Sequence, residues 1–263
     1  MVTVHAADAQ VSEGERTAEF LSHFALFRCA SRAIEAALLE HHPDLPTLWV
    51  PCVVDLPAPG SSPTPPLGRN VVTVARLIDT KGFAEMMSVM SLVSEQMQGV
   101  RWTIVGGGPL LPDIAAWAKA TPNLDVHLLG ALPHSSTLDT LQKADAFLLL
   151  PKTVIDERTG KWKGDGLPVA ILEAMWLRVP VIVTPVGGIP ELVNEATGHL
   201  VDSDQIDSIV ALLTRVLTSG DDASRLSSGQ DAIKRDYLPQ TTSARLSDGI
   251  ESVMSQFDAS ATS

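Results

Sequence analysis

Residues 71–105 read VVTVARLIDTKGFAEMMSVMSLVSEQMQGVRWTIV, and this stretch decides the fold. It opens and closes with short runs of mostly β-branched and aromatic residues, 71–75 and 101–105, which are typical of strands buried on both faces. Between these runs, apolar residues recur at helical spacing over 82–97, which predicts a helix. Strand, helix and strand in this order predict a βαβ unit with two parallel strands.

The same alternation of strands and helices continues toward the C-terminus. Further strands are predicted at 126–129, 146–150, 181–184 and 199–201, and further helices at 111–120, 136–143, within 167–179 and at 205–217. Chains that alternate in this way build a parallel sheet with helices on its faces. The predicted fold class is therefore α/β, with a Rossmann-like parallel sheet flanked by helices.

The segments on either side of this predicted sheet are less regular. Residues 20–39 carry apolar residues at helical spacing and predict one amphipathic helix, and 48–54 predicts a short strand. Residues 57–68 read PAPGSSPTPPLG, a Pro, Gly and Ser content that is typical of a linker. One more helix is predicted near the C-terminus, at about 241–256.

Composition excludes several classes of partner. The 263-residue chain has a net charge of −12, whereas a nucleic acid or an anionic membrane requires clustered Lys and Arg. No apolar run approaches the about eighteen residues that span a bilayer, and the polar N-terminus does not resemble a secretory signal. Cys29 and Cys52 form neither a metal motif nor a disulfide framework, so both are predicted to be reduced thiols. We therefore expect a cytoplasmic protein without a nucleic-acid partner or a transmembrane segment.

The unusual loops of the predicted sheet all follow strands, so they meet at one edge, where open parallel sheets bind their ligands. Arg76 and Lys81 follow the first of these strands. Glycines recur in the later loops, which are GGGP at 106–109, GALP at 130–133, the loop 152–166 and TPVGG at 184–188. Two cations beside glycines that admit close backbone contact indicate a site for an anionic ligand. Taken singly, each feature also fits a surface charge or a tight turn.

One acid stands inside an apolar segment. Residues 164–175 read GDGLPVAILEAM, in which Glu173 lies on a helix that is otherwise apolar on all sides and is therefore predicted to be buried. A buried carboxylate costs several kcal/mol unless something pairs with it. Because helical side chains lean toward the N-terminus, Glu173 can reach the edge of the sheet and accept hydrogen bonds from paired hydroxyls, as on a ribose. The alternative is that it pairs with a core Arg or with backbone groups.

Together these motifs resemble the C-terminal, donor-binding half of the GT-B glycosyltransferases, in the retaining family four, also called glycosyl transferases group 1. In the order of that family, the motifs are VARLIDTKG at 74–82, IVGGGP at 104–109, LLGALPH at 128–134, ADAFLLLP at 144–151, GDGLPVAILEAM at 164–175 and VPVIVTPVGGIPELV at 179–193. The resemblance implies a C-terminal GT-B domain. It also implies transfer of a hexose from a nucleotide diphosphate sugar with retention, in exopolysaccharide or glycolipid synthesis.

The resemblance also implies roles for individual residues. Arg76 and Lys81 match the pair that holds the donor pyrophosphate, and together with Asp165 they are the candidate catalytic residues. Asp165 stands where the family has a sugar-binding Glu, and Glu173 matches the Glu that binds the donor ribose. The remaining donor-binding candidates are Gly108, Ala131, Leu132, Gly166 and Leu167. No metal and no cofactor are implied, because Arg, Lys and helix N-termini neutralise the leaving diphosphate in this family.

By the same resemblance the chain divides into four parts. Residues 1–56 would be a remnant of the N-terminal domain with its crossover, 57–69 a linker, 70–236 the donor-binding domain, and 237–263 the C-terminal crossover helix and tail. The family binds its acceptor, here a glycan or a lipid-linked molecule, on the N-terminal domain, most of which is missing. The chain is then a truncated donor half, or a partner chain supplies the acceptor domain. The alternative is a non-catalytic nucleotide-sugar-binding module or subunit.

Overall fold

The computed structural model of the chain describes residues 2–4, 26–52, 54, 56–57, 68–155, 162–163 and 166–261. In chain order, its strands are β1 (Val2–Val4), β2 (Phe27–Cys29), β3 (Thr47–Trp49), β4 (Asn70–Val74), β5 (Arg101–Val105), β6 (Asp125–Gly130), β7 (Ala146–Leu149), β8 (Val154–Ile155), β9 (Trp162–Lys163), β10 (Val181–Val183) and β11 (His199–Leu200). Its α-helices are α1 (Arg32–His41), α2 (Phe83–Gln96), α3 (Leu111–Ala120), α4 (His134–Leu141), α5 (Val169–Trp176), α6 (Ile189–Leu192), α7 (Ile206–Ser219), α8 (Ala223–Asp236) and α9 (Pro239–Ala261). A 3-10 turn spans Asp79–Lys81.

The main sheet has the strand order β11-β10-β7-β4-β5-β6, and all of its pairings are parallel. The first of these strands in the chain, β4, lies in the interior of the sheet, with β5 on one side and β7 on the other. The loops after β4 and β7 therefore leave the sheet in opposite directions and open a crevice at its carboxyl edge. This arrangement confirms the predicted α/β class with a parallel sheet flanked by helices.

The centre of the sheet is apolar on both faces because its strands are covered by helices. All four residues of β7 and all three of β10 are buried. A chain of hydrogen bonds ties three strands together inside this core. The indole Nε1 of Trp102 donates to Thr73 Oγ1 at 2.9 Å, and the Thr73 hydroxyl donates to the Leu148 carbonyl at 2.7 Å. The polar atoms of these buried side chains are thus satisfied within the sheet.

Helix α5 is buried along its length, as a helix that is apolar all round predicts. Seven of its residues, Ala170 to Trp176, are buried, and Glu173 is among them. The helix contacts α4, α8 and β10. Its burial places the carboxylate of Glu173 in the interior, so the partner of that carboxylate decides whether the arrangement is stable.

A second parallel sheet, β1-β2-β3, forms from the N-terminal part of the chain. The helix predicted over 20–39 is confirmed from Arg32 onward, but it is wrong at Phe27–Cys29, which is a strand. Phe27 and Cys29 alternate with the less buried Arg28, so they follow the period of a strand. Ser31 then starts the helix, because its Oγ accepts from the Ile34 N–H at 3.2 Å. Of the predicted linker at 57–69, residues 58–67 lie outside the described residues.

Two free thiols occur in this N-terminal part, Cys29 and Cys52. Burial, with a smaller contribution from the charge of Glu35, raises the pKa of the Cys29 thiol to about 11. Cys29 is therefore held as the neutral thiol at neutral pH, and it packs as a small apolar side chain with Phe27, Ile34 and Leu38.

The C-terminal helix α9 returns to pack on the N-terminal sheet. The guanidinium groups of Arg32 and Arg245 lie 4.4 and 4.2 Å from the ring centroid of Trp49, and Tyr237 meets the same ring edge-on. Cation–π contacts of this kind stabilise by about 0.5–2 kcal/mol each. The helix predicted at 241–256 lies inside α9, whereas α8, which was not predicted, precedes it. No helix in the described part of the chain is long and apolar enough to cross a membrane.

A buried carboxylate fastens β11 to the start of α8. Asp221 Oδ2 lies 2.9 Å from His199 Nε2, and its Oδ1 accepts from Arg225 and from the Asp222 N–H. Burial raises the pKa of Asp221, but the hydrogen bonds from His199 and Asp222 and the charges of His199 and Arg225 outweigh it. The pKa of Asp221 therefore lies below its usual range.

We expect Asp221→Asn to lower the free energy of unfolding by about 1–3 kcal/mol at pH 7, because His199 and Arg225 lose a buried charged partner. Because the pKa of Asp221 is lower in the folded than in the unfolded chain, the ionised carboxylate stabilises the fold at pH values above the unfolded-state pKa, near 4. This stabilisation is lost as the pH falls through the folded-state pKa. The difference between the two proteins should therefore shrink below about pH 4 in urea unfolding followed from pH 7 to pH 3. The matched control is Asp231→Asn, an exposed acid on α8, with an expected effect below about 0.5 kcal/mol. A difference that is constant with pH would contradict the assignment.

Candidate functional site

Three loops at the carboxyl edge of the main sheet are joined by backbone hydrogen bonds. The Leu77 N–H donates to the Gly107 carbonyl at 2.9 Å, and the Leu110 N–H donates to the Leu77 carbonyl at 3.1 Å. The Gly106 N–H donates to the Gly130 carbonyl at 2.7 Å. The loops that follow β4, β5 and β6 therefore hold one another in place, which makes this edge a rigid platform rather than a set of separate turns.

The glycines of GGGP allow this close approach. A Cβ on Gly106 would lie 1.8 Å from the Ala75 carbonyl oxygen, and one on Gly108 would lie 2.4 Å from the Leu77 carbonyl oxygen. Both glycines also have a positive φ, 136° and 158°. Gly108, a predicted donor-binding residue, is thus required by the packing of the loop after β4, and its contact with a donor stays a prediction.

The two predicted cations lie on the segment between β4 and α2, in different surroundings. Arg76 is exposed on the loop that follows β4, whereas Lys81 is buried, with 7% of its surface accessible. Lys81 ends the 3-10 turn, and Gly82 then adopts a φ of 75° that starts α2. The structure therefore brings both cations to the carboxyl edge of β4, and their pyrophosphate role stays a prediction.

The loop after β7 is fastened to the same turn. The Lys152 N–H donates to the Thr80 carbonyl at 2.8 Å, and Lys152 Nζ donates to Glu85 Oε1 at 2.7 Å. A Cβ on Gly82 would meet the Leu150 carbonyl oxygen at 1.8 Å, so the chain is closely packed there too. The loop after β7 is thus packed against the 3-10 turn that ends at Lys81, on one side of the crevice between β4 and β7.

Glu173 finds its partner in a residue to which the sequence assigned no role. Its Oε1 lies 2.8 Å from Nε2 of His134, the first residue of α4. The Glu173 side chain is 6% exposed and that of His134 is 50% exposed. Among the described residues, the partner of Glu173 is therefore a half-exposed imidazole, and not the core Arg or backbone group that was predicted as an alternative. His134 ends the motif LLGALPH, but no pattern in that motif indicated a contact with α5.

His134 closely follows the turn that contains Ala131 and Leu132, two predicted donor-binding residues. Ala131 is exposed and Leu132 is half-buried. The Thr137 N–H and its hydroxyl both bond to the Pro133 carbonyl, at 3.0 and 3.1 Å, which fixes the start of α4 behind this turn. The structure therefore brings the turn and Glu173 together at one place on the carboxyl edge.

The remaining predicted residues lie where the loop after β9 enters α5. Gly166 and Leu167 are both half-buried, and the Gly166 carbonyl accepts from the Gly188 N–H. Asp165 lies outside the described residues, so its contact with the donor sugar stays a prediction. Within the described residues, no group of three or more His, Cys, Asp or Glu side chains is arranged to hold a metal ion.

Glu191, which the sequence did not single out, joins α6 to the start of α1 beside this entrance. Its carboxylate oxygens accept from the N–H groups of Arg32 and Ala33, at 2.9 and 2.8 Å. An acid at the first turn of a helix is stabilised by the helix dipole and by the unpaired N–H groups there. Helix α1 is therefore held against α6, next to the Gly166–Gly188 contact. Because Glu191 and Arg32 lie 159 positions apart, no local sequence pattern predicts this contact.

The sequence of residues 61–232 matches the family described as Glycosyl transferases group 1. The chain is 32% identical over 152 residues to the amylovoran biosynthesis glycosyltransferase AmsK of Erwinia amylovora, which covers 56% of the chain and 35% of that relative. It is 29% identical over 196 residues to the putative colanic acid biosynthesis glycosyltransferase WcaL of Escherichia coli (strain K12), which covers 72% of the chain and 46% of that relative. The chain thus spans less than half the length of these two relatives.

Solved structures with the same fold include TarM of S. aureus, in complex with Fondaparinux, alpha-GlcNAc-glycerol and UDP. The match has a TM-score of 0.73 at 13% identity and covers 94% of the chain and 50% of TarM. Sucrose-phosphate synthase from Thermosynechococcus elongatus matches with a TM-score of 0.72 at 15% identity, covering 97% of the chain and 68% of that protein. At these identities the likeness concerns the fold, and it agrees with the parallel sheet flanked by helices described above.

Proposed function

Because the chain belongs to the glycosyl transferases group 1 family, we propose that it is the donor-binding half of a glycosyltransferase. It transfers a hexose from a nucleotide diphosphate sugar, with retention, to a glycan or a lipid-linked acceptor. The observation that carries the proposal is the buried carboxylate of Glu173 at the carboxyl edge, beside the turn of Ala131 and Leu132. A buried acid at a ligand-binding edge suits the paired hydroxyls of a ribose.

The proposed division of labour follows the charges of the donor. Arg76 and Lys81 bind the two phosphates and stabilise the negative charge that grows on the leaving diphosphate. The N-terminus of α5, with the backbone of Gly166 and Leu167, adds positive potential from the other side of the crevice. Asp165 contacts the hexose. In this mechanism neither a metal ion nor a cofactor is needed, because protein cations supply the neutralisation.

The proposed acceptor chemistry comes from the relatives. AmsK and WcaL are named for the biosynthesis of polysaccharides, amylovoran and colanic acid. Another relative, from Mycobacterium tuberculosis, is a GDP-mannose-dependent mannosyltransferase named for a phosphatidylinositol monomannoside; it is 28% identical over 182 residues, 68% of the chain and 46% of that relative. We therefore favour exopolysaccharide or glycolipid synthesis, with the acceptor bound by a further domain or a partner chain.

A second candidate is a nucleotide-sugar-binding subunit without catalysis. The observation that favours it is Asp165, which is one methylene shorter than the Glu of the family pattern. Hexose transfer to a glycan acceptor, measured with and without candidate partner chains, separates the two functions. Transfer in either case supports the enzyme, and donor binding without any transfer supports the subunit.

The proposal predicts that Glu173→Ala weakens nucleotide binding by about 1–3 kcal/mol, because ribose hydroxyls lose a buried acceptor. The measurement is calorimetric titration with UDP, GDP and ADP and their common sugar conjugates, without added metal. The matched control is Glu95→Ala, which removes an exposed acid on α2 and should leave binding unchanged. Equal affinity of a folded Glu173→Ala variant and the unsubstituted chain would contradict the ribose role. An unsubstituted chain that binds none of these nucleotides would overturn the proposed function.

A further inference from the structure

The contact between His134 and Glu173 has properties that a simple surface ion pair lacks. The two residues differ sharply in exposure, 50% for the imidazole and 6% for the carboxylate. A buried carboxylate is costly, and on a helix whose other residues are apolar it has few possible partners. Among the described residues, His134 is therefore the side chain that offsets the cost of burying Glu173.

The contact joins Oε1 of Glu173 to Nε2 of His134 at 2.8 Å. A carboxylate oxygen is an acceptor, so the proposed arrangement has the imidazole N–H as the donor. The second oxygen, Oε2, has no hydrogen-bond partner among the described residues. In that part of the chain, His134 thus holds one carboxylate oxygen and leaves the bonding capacity of the other unused.

The backbone that carries the imidazole is held in place by its surroundings. His134 is the first residue of α4, behind the turn of Ala131 and Leu132. The two bonds from Thr137 to the Pro133 carbonyl fix the first turn of α4, and α4 contacts α5. A side chain that starts a well-fixed helix and reaches a buried acid on the next helix is suited to orient that acid.

We propose that His134 is a positioning residue of the donor site, which holds Oε1 of Glu173 so that Oε2 is presented to a ribose hydroxyl. The proposal rests on the proposed function, because it requires that a nucleotide binds at Glu173. It goes further, because it attributes a preference for ribose over deoxyribose to His134 and Glu173 acting together rather than to Glu173 alone.

The test is a comparison of ligands that differ by one hydroxyl. The affinities of UDP and GDP are measured by calorimetry beside those of their 2′-deoxy and 3′-deoxy analogues, for each variant. In the unsubstituted chain, loss of the hydroxyl bound by Oε2 should weaken binding about tenfold or more, the range for a hydrogen bond to a charged group. The quantity compared is the ratio of the affinity for the nucleotide to the affinity for its deoxy analogue. If His134 has only a structural role, its substitution weakens all ligands equally and leaves this ratio unchanged. If His134 positions Glu173, its substitution lowers the ratio.

Two substitutions with the same amide group make the comparison specific. His134→Gln places its amide nitrogen at about the reach of Nε2, so it should keep most of the tenfold ratio. His134→Asn is shorter and cannot reach Oε1, so its ratio should fall to about twofold or less. The control His127→Ala removes a different imidazole, which pairs with the exposed Asp125, and should leave the ratio unchanged. Urea unfolding of each variant identifies any that are not folded, and His134→Ala, which also lacks the donor, takes the place of a His134→Asn variant that does not fold.

The outcomes separate this inference from the proposed function. A ratio that depends on Glu173 and falls in His134→Asn but not in His134→Gln supports the positioning role. A ratio that is lost in Glu173→Ala yet is the same in His134→Asn and in the unsubstituted chain overturns the inference and leaves the donor site intact. An unsubstituted chain that binds no nucleotide overturns both.

Discussion

With Arg76 replaced by Ala and Lys81 by Met, the chain is expected to bind UDP or GDP about a hundredfold or more weakly. Each cation contributes about 1.5–3 kcal/mol through charge-assisted hydrogen bonds to phosphate oxygens, and the two contributions combine. Met is used at position 81 because the stem of Lys81 is buried and its packing should be kept. Calorimetry of the two single variants and the double variant measures the effect.

The matching ligands for this prediction are uridine and guanosine, which carry the base and ribose without phosphate. Their affinity should be unchanged within about twofold, because neither cation contacts them in the proposed arrangement. Lys119→Ala is the control for a general loss of positive charge, since Lys119 lies with Gly99 and Asn123 at a cavity on the opposite, amino-terminal edge of the sheet. Equal weakening of nucleoside and diphosphate would show that the two substitutions act on the fold and not on phosphate.

The second large effect concerns stability. Gly106→Ala is expected to lower the free energy of unfolding by about 2–5 kcal/mol, since its Cβ collides with backbone and its φ is disfavoured for Ala. The collision is with the Ala75 carbonyl oxygen at 1.8 Å, at a φ of 136°. Backbone atoms cannot rotate away as a side chain can, so the loop after β4 must move. Equilibrium unfolding in urea measures the loss.

The neighbouring glycine is a matched control for this substitution. A Cβ on Gly107 would meet nothing within 4 Å, and its φ is not positive. Gly107→Ala should therefore change stability by less than about 0.5 kcal/mol. A Gly106→Ala protein as stable as Gly107→Ala would contradict the packing described for the three loops. Because the loop after β4 carries Arg76, nucleotide affinity should also fall in Gly106→Ala.

The fold could be predicted where buried segments have a regular pattern of apolar residues. The strands at 71–75, 101–105 and 146–150 are apolar because they are covered on both faces, and the structure has strands at all three places. The segment around Phe27 was predicted wrongly, because Phe27 and Cys29 belong to a strand that pairs with β1 and β3 and buries them against α1. A short strand of three residues has too few positions to reveal its period. Helix α8 was missed because it is mainly polar, with three buried residues that include a glycine.

The site could be predicted only in part, for a similar reason. Glu173 was identifiable because a lone acid in an apolar helix departs from the local pattern. Its partner His134 was not identifiable, since the contact joins positions 39 residues apart and nothing around His134 is unusual. The contact of Glu191 with the start of α1 spans 159 positions and was missed likewise. A residue whose partner is distant in sequence is not recognisable from its neighbours, whereas a residue whose polarity differs from that of its neighbours is.

The interior position of β4 has a consequence for synthesis on the ribosome. Thr73 on β4 bonds to Leu148 on β7, 75 positions later, so one side of this strand has no neighbour until that segment is made. At about 5–20 residues per second, the wait lasts about 4–15 seconds. Throughout it, a strand with an unpaired apolar edge is available to other nascent chains, which is the usual beginning of aggregation. The same parallel order that creates the crevice therefore leaves the nascent chain with an unpaired strand edge until the fourth strand of this sheet emerges.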